Sequence, residues 1–147
     1  LPQGRGWSPH VWQIIAGADS ITLSLLEAAE AVDSGPIWLQ VDIPLQGHEL
    51  HDEINHKLFD AEMALMREAV VRFGCIEPQP QPDAGASYHR RRTPEDSRID
   101  PASSLQSQFD LLRVADPQRF PAFFELRGHR YELLIRKALP PGMKDTL

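Results

Sequence analysis

The chain has 147 residues, 41% of them hydrophobic and 24% charged, the composition of one globular domain or of a domain with a small appendage. Its apolar runs are far shorter than the roughly 20 residues of a membrane-spanning helix, and its single cysteine excludes a disulfide framework or a multi-cysteine metal site. The net charge of −6 argues against general nucleic-acid binding. With no recognisable signal peptide, we expect a cytoplasmic protein in which Cys75 is buried or partly buried.

The first part of the chain predicts a short helix and two strands. Ser8, followed by a proline, is typical of the start of a helix. Residues 21–26 alternate between apolar and polar side chains, as a strand does. The Asp-Ser-Gly-Pro run at 33–36 predicts a turn, and residues 37–45 repeat with period two, which predicts a half-buried strand.

The clearest predicted helix lies between His48 and Phe73, a stretch without glycine or proline that Gly74 would end. Apolar residues recur there at spacings of three and four, which predicts one structural stripe packed against the rest of the molecule. The stripe contains Leu50, Ile54, Leu58, Ala61, Leu65, Ala69 and Phe73.

The second part of the chain predicts a crossing segment and a small appendage. Residues 76–101 contain five prolines, which is typical of a long surface connection. Residues 105–115 predict a helix, and residues 120–126 and 131–137 predict two strands of a hairpin. The tail after residue 138 is expected to be loose.

These elements predict three regions. Residues 1–75 form part of an α/β layer structure, residues 76–103 form a linker or crossing segment, and residues 104–147 form a subdomain of a helix and a hairpin. Arginine makes up 12 of the 15 basic residues, and 11 of those 15 follow residue 77. Since guanidinium groups suit paired contacts with phosphate, the second part could hold a phosphate-bearing ligand or present a mixed, solvated surface.

Two clusters carry residue types that could perform chemistry. The first cluster runs from Gly4 to Pro9, where two glycines flank Arg5 and let the backbone approach a ligand, although such turns are common. The second cluster contains Asp33 beside the turn between two strands, where ligands bind in open α/β sheets. Its carboxylate could accept a proton or hold a histidine in place, or it could only hydrogen-bond its own turn.

Both clusters belong to one ordered series of short motifs. The series consists of Leu1-Pro2, Gly4-Arg5-Gly6, Ser8-Pro9, Trp12, Ile14, Gly17, Ile21-Thr22, Val32-Asp33, Gly35 and Ile37. In order, spacing and residue type this series resembles the folate-dependent formyltransferases, which include the enzymes that act on methionyl-tRNA, on glycinamide ribonucleotide and on nucleotide-linked amino sugars. A second series resembles the segment that follows the catalytic domain in the amino-sugar enzymes. It contains Tyr88, Arg90-Arg91, Thr93-Pro94, Asp96, Ile99-Asp100, Leu112–Ala115, Pro121–Phe123 and Gly128.

The resemblance implies an α/β fold, namely the C-terminal half of a Rossmann-like formyltransferase catalytic domain followed by a small α+β appendage. It implies transfer of a formyl group from 10-formyltetrahydrofolate to a primary amine, without a metal. Asp33 matches the catalytic aspartate of the family. The catalytic asparagine and histidine of the family match positions before Leu1, so we expect this chain to be inactive by itself.

The resemblance also implies roles for other residues. Ala29, Glu30 and Asp33 match the loop that contacts the edge of the pterin ring of the folate. The residues that match the acceptor-binding side of the site are Arg5, Trp7, Ser8, Pro9, Arg90 and Arg91. The expected acceptor is a nucleotide-linked amino sugar, because the appendage is short and its charge is close to neutral. Two alternatives are a methionyl-tRNA formyltransferase and an incomplete binding remnant. A homodimer formed through the aromatic-rich C-terminal segment is also expected.

Overall fold

The computed structural model describes residues 1–82 and 84–138. In chain order, its elements are β1 (Arg5–Gly6), α1 (Pro9–Ile15), β2 (Ser20–Leu26), β3 (Ile37–Pro44), α2 (His51–Val71), β4 (Tyr88–His89), α3 (Phe109–Arg113), β5 (Ala122–Leu126) and β6 (His129–Leu133), with 3-10 turns at Pro94–Ser97 and Gln106–Gln108. The expectation of a loose tail falls on residues 139–147, which lie outside the described residues. In the described part of the chain no helix is both long and apolar enough to span a membrane.

The β2–β3 hairpin and helix α2 form the layer that supports the rest of the molecule. The two strands are antiparallel, with Ile21 opposite Ile43 and Leu23 opposite Val41. Because side chains alternate along a strand, these four residues share one face. Helix α2 packs on this hairpin and contributes Ile54 to the core. The mixed α/β arrangement confirms the predicted fold class.

Strands β1 and β4 bring the crossing segment back to the beginning of the chain. They are parallel, with Arg5 opposite Tyr88 and Gly6 opposite His89. Gly6 has φ 101°, and a Cβ atom built there would lie 2.4 Å from the carbonyl oxygen of His89. This position therefore requires glycine, because a side chain would prevent the two strands from approaching each other.

Two hydrophobic clusters form the core. The larger cluster contains Val11, Ile14, Ile21, Ile43, Leu45, Ile54 and Val114. The smaller cluster contains Ile99, Leu112 and Ala122, with Phe124 and Leu133 packed against it. Val114 follows α3, so the region predicted as an appendage shares the larger core with residues 11–54. The boundaries at 75/76 and 103/104 stay a prediction, and side chains pack across both.

Helix α2 is shorter than the sequence predicts. It begins at His51, where the Glu53 carboxylate accepts a hydrogen bond from the backbone N–H of Leu50, and it ends at Val71. Gly74 then adopts φ 82°, which ends the helical run. Phe73 therefore lies beyond the end of the helix, where its ring stacks on Trp38 and is 77% exposed. The expectation that Cys75 is buried was wrong, since it lies in the exposed chain after the helix.

The helix predicted at 105–115 is also shorter, because serine side chains compete for its first backbone groups. The hydroxyl of Ser107 donates to the carbonyl of Ser104, and the hydroxyl of Ser104 accepts from the backbone N–H of Ser107. Such local bonds favour turns over regular helix. The chain accordingly makes a 3-10 turn before α3 begins at Phe109. The predicted hairpin forms, with β6 ending at Leu133.

Candidate functional site

The site begins with a contact between the two sequence clusters. The carboxylate of Asp33 accepts a hydrogen bond of 2.8 Å from the backbone N–H of Gly6, across 27 positions of the chain. Within the turn itself, it is the hydroxyl of Ser34 that donates to the carbonyl of Ala31. The carboxylate of Asp33 therefore serves a tertiary contact, whereas the sequence had left open whether it only closed its own turn.

The backbone at Asp33 is held in an unusual conformation. Asp33 has φ 59°, in the left-handed region that most residues with a side chain avoid and that aspartate tolerates in turns. Two positions later, a Cβ atom built on Gly35 would lie 1.8 Å from the carbonyl oxygen of Glu27. The turn thus closes tightly against the end of β2, which fixes the direction of the Asp33 side chain.

The side chain of Gln81 connects the two clusters. Its amide oxygen accepts hydrogen bonds from Nε and Nη2 of Arg5, at 3.2 and 2.6 Å. Its amide nitrogen donates to the carbonyl oxygens of Asp33 and Gly35, at 2.8 and 2.7 Å. Arg5 and Asp33, which are 28 positions apart in the chain, are thereby held by one carboxamide from the crossing segment.

A surface of arginine and aromatic side chains lies beside the first cluster. The guanidinium carbon of Arg91 lies 5.0 Å from the centre of the Trp7 ring, and that of Arg90 lies 4.8 Å from the Trp12 ring. Asp96 binds Arg90 through both carboxylate oxygens, at 2.7 and 2.5 Å. The bonded Arg90 guanidinium holds the pKa of Asp96 well below its ordinary value. Arg90 is thus fixed by its carboxylate partner.

A cavity of about 1190 Å³ opens next to the Gly6–Asp33 contact. The backbone of the first cluster, α1, the β2–β3 hairpin and α2 all contribute to its wall. Among the predicted site residues, Pro9 and Asp33 line this cavity, whereas Ala29 and Glu30 are exposed in the loop and do not. Trp7 is 57% exposed beside Arg91. Ser8 lies at the start of α1, where its side chain makes no capping bond.

A half-buried histidine in the wall of the cavity was not among the sequence candidates. His10 lies on the first turn of α1, and burial lowers its pKa to about 4, aided by repulsion from His51 and Arg92. The imidazole is therefore neutral at pH 7. His51 in turn accepts or donates a hydrogen bond of 3.0 Å with Asn55 and lies 3.8 Å from Asp116.

Sequence reasoning missed Gln81 and His10 for different reasons. Gln81 lies in a proline-rich run, Pro78 to Pro82, where no periodicity indicates which side chain points inward. His10 follows the Ser-Pro pair at the apolar start of a helix, and that pattern was the only available signal. In the described residues, no group of three histidine, cysteine or acidic side chains is placed to hold a metal ion.

Comparisons of the sequence and of the structure with known proteins both find formyltransferases. No family model matches the chain. The chain is 29% identical over 141 residues to the methionyl-tRNA formyltransferase of Ruegeria pomeroyi, which covers 93% of this chain and 45% of the relative. The methionyl-tRNA formyltransferase of Clostridium thermocellum has a similar structure, with a TM-score of 0.76 and 26% identity, over 97% of this chain and 61% of that one.

Two further solved structures share the fold. A 4-N formyltransferase from Francisella tularensis gives a TM-score of 0.76 at 20% identity, over 95% of this chain and 60% of that chain. An N-formyltransferase from Helicobacter canadensis, in complex with folinic acid and dTDP-3-aminofucose, gives 0.64 at 18% identity, over 78% and 44%. The chain spans less than half the length of the curated relatives that it matches. In sequence and in fold, the chain is therefore related to the formyltransferases.

Proposed function

We propose that this chain is the part of a formyltransferase that supplies the catalytic aspartate and the acceptor side of the active site. The reaction is the transfer of a formyl group from 10-formyltetrahydrofolate to the primary amine of a nucleotide-linked amino sugar. The observation that carries the proposal is the 2.8 Å bond from the Gly6 N–H to the Asp33 carboxylate. This bond joins the two motifs that resemble the family and directs the carboxylate beside a large cavity.

The proposed chemistry assigns a proton-handling role to Asp33. The acceptor amine attacks the formyl carbon as a neutral amine, and the tetrahedral intermediate carries an oxyanion that hydrogen-bond donors stabilise. In the resembled family an asparagine and a histidine supply these donors. Asp33 would orient the histidine and help to remove the proton that the amine loses.

The folate would bind beside the cavity, against the exposed loop that ends at Asp33. Ala29 and Glu30 belong to this loop, are exposed, and would offer main-chain groups to the pterin ring. The Helicobacter neighbour has a folate derivative and a nucleotide-linked amino sugar bound in its structure. No metal takes part in the proposed reaction.

The acceptor proposal depends on the arginine and aromatic surface. Trp7 presents an exposed ring for a nucleobase, and Arg91 presents a guanidinium for a phosphate. Arg5, Ser8 and Pro9 would line the path of the amino sugar towards Asp33. Arg90 would act mainly by holding this surface in place, since Asp96 binds it through both oxygens.

Methionyl-tRNA is the second candidate acceptor, because the relatives similar in sequence are named methionyl-tRNA formyltransferases. A tRNA-binding surface is expected to be strongly basic. This chain carries a net charge of −6, and residues 78–147 contain 11 basic and 9 acidic side chains. These charges favour the amino sugar.

The proposed reaction takes place in the cytoplasm. The proposed homodimer forms through the C-terminal hairpin, where Leu126 and Tyr131 are exposed.

The proposal is tested with the full-length gene product and 10-formyltetrahydrofolate. Nucleotide-linked amino sugars and methionyl-tRNA are offered in parallel while the release of tetrahydrofolate is followed. We expect turnover with an amino sugar only. Turnover with methionyl-tRNA alone would reassign the acceptor, and no turnover with either would favour the third possibility, an incomplete binding remnant.

The same assay tests Asp33. Asp33→Asn should lower kcat by about 10²–10⁴-fold, because the amide cannot accept the proton, while the fold is retained. Asp60→Asn is the matched control, since Asp60 is exposed on α2, where it lies near His56. Near-normal turnover of Asp33→Asn would show that the aspartate has another role.

A further inference from the structure

Gln81 makes four hydrogen bonds with one carboxamide, and each bond goes to a group of the candidate site or its turn. The oxygen faces only donors, from Arg5, and the nitrogen faces only carbonyl oxygens, from Asp33 and Gly35. Turning the amide around would place donors against donors and acceptors against acceptors. The orientation of the group is therefore fixed, and a carboxamide is the neutral group that provides both the acceptor and the donor.

These bonds hold the backbone of the turn at Asp33 and Gly35. The Asp33 carbonyl that accepts from Gln81 belongs to a residue with φ 59°. The neighbouring carbonyl of Gly35 is held by the same nitrogen at 2.7 Å. Without Gln81, the turn could relax towards ordinary backbone angles, and the Asp33 carboxylate would move away from the Gly6 N–H.

We infer that Gln81 is a positioning residue, which sets the angle of the Asp33 carboxylate and the place of Arg5 together. This inference rests on the proposed function for its effect on catalysis, although the geometry it describes exists without substrate. Gln81 comes from the crossing segment that also pairs Ser87 with Gly4 and Arg5. The crossing segment thus serves as part of the site and not only as a connection.

Two variants separate the two halves of the carboxamide. Gln81→Met keeps the length of the side chain and removes all four bonds. Gln81→Glu keeps an acceptor for Arg5 but turns a carboxylate oxygen towards the carbonyls of Asp33 and Gly35, where no donor remains. Gln79→Met is the matched control, because among the described residues the side chain of Gln79 donates to the carbonyl of Glu77 in the same segment and to no site residue.

The first measurement is amide hydrogen exchange at Gly6 in the chain itself, followed by NMR. We expect exchange to become about five- to tenfold faster in Gln81→Met and in Gln81→Glu, because the acceptor at Asp33 is displaced. Gln79→Met should exchange as the wild type does. Unchanged protection of Gly6 in both Gln81 variants would overturn the inference, whether or not the protein is a formyltransferase.

The second measurement is steady-state turnover of the full-length gene product. Both Gln81 variants should lower kcat by about 10²-fold with KM for the folate nearly unchanged, since a misplaced catalytic group mainly affects the transition state. If Gln81→Glu has the kcat of the wild type, the hydrogen bonds from the amide nitrogen to Asp33 and Gly35 do not position the catalytic group. If the wild type itself shows no turnover, the proposed function fails, while the exchange result still decides the inference.

Discussion

At the scale of single residues, the glycines that matter are the two that allow close approach of backbone to backbone. Gly6 admits the carbonyl of His89 and Gly35 admits the carbonyl of Glu27. Gly17, by contrast, has open space around it and only requires glycine for its φ of 87°. The sequence pattern Asp-Ser-Gly-Pro predicted a turn, but it could not indicate which carbonyl the glycine would meet.

Gly35→Ala tests this close approach. A Cβ atom 1.8 Å from the Glu27 oxygen forces the turn to open, so the free energy of unfolding should fall by about 1–3 kcal/mol in urea denaturation. The NMR signal of the Gly6 amide should shift as well, because Asp33 belongs to the same turn. Gly17→Ala, the control, costs backbone strain only and should leave the Gly6 signal in place. An unshifted Gly6 signal in Gly35→Ala would contradict this account.

At the scale of elements, one buried carboxylate ties α2 to α3. Glu49 precedes α2 and is 2% exposed, as is Arg113 at the end of α3. Burial acts to raise the pKa of Glu49, but hydrogen bonds from Lys57 and from the Gln46 N–H outweigh it and lower the pKa to about 2. The carboxylate therefore stays charged between Lys57 at 2.5 Å and Arg113 at 3.9 Å.

Glu49→Gln should be strongly destabilising. Removing the charge leaves the buried Arg113 with Asp110 as its remaining carboxylate partner in the described residues, and breaking a buried pair typically costs about 3–5 kcal/mol. Glu68→Gln breaks only an exposed pair with Arg72 and should cost about 0.3–0.5 kcal/mol. Urea denaturation of both variants makes the comparison, and equal losses would refute a structural role for Glu49.

At the scale of the whole molecule, the free energy of unfolding should depend on pH through His10, which lies near charged groups from other parts of the chain. His10 on α1 is repelled by His51 on α2 and by Arg92 in the crossing segment, and burial lowers its pKa from 6.5 to about 4. The folded state thus binds this proton more weakly than the unfolded state does. The contribution of neutral His10 to the free energy of unfolding is complete above pH 6.5 and is lost as the pH falls towards 4.

His10→Gln should remove this part of the pH dependence. Between pH 7 and pH 4 the wild type should lose on the order of 3 kcal/mol of unfolding free energy through His10, because protonation is linked to unfolding. The glutamine variant should lose less over the same range, as followed by urea denaturation at several pH values. His56→Gln is the control, since His56 is exposed beside Asp60. Parallel pH profiles for the wild type and His10→Gln would contradict the assignment.

The sequence by itself determined the local elements, the turn at Asp33 and the resemblance to formyltransferases, because periodicity and motif spacing are properties of neighbouring residues. It placed β2, β3 and α2 to within a few residues, and it marked Asp33 and Arg5 as candidates. Only the tertiary structure decided that Gln81 joins these two residues and that Val114 enters the core of the first region. Such contacts depend on how distant segments of the chain pack together. A proline-rich segment has no periodic pattern of apolar residues from which the inward-facing side chain could be predicted.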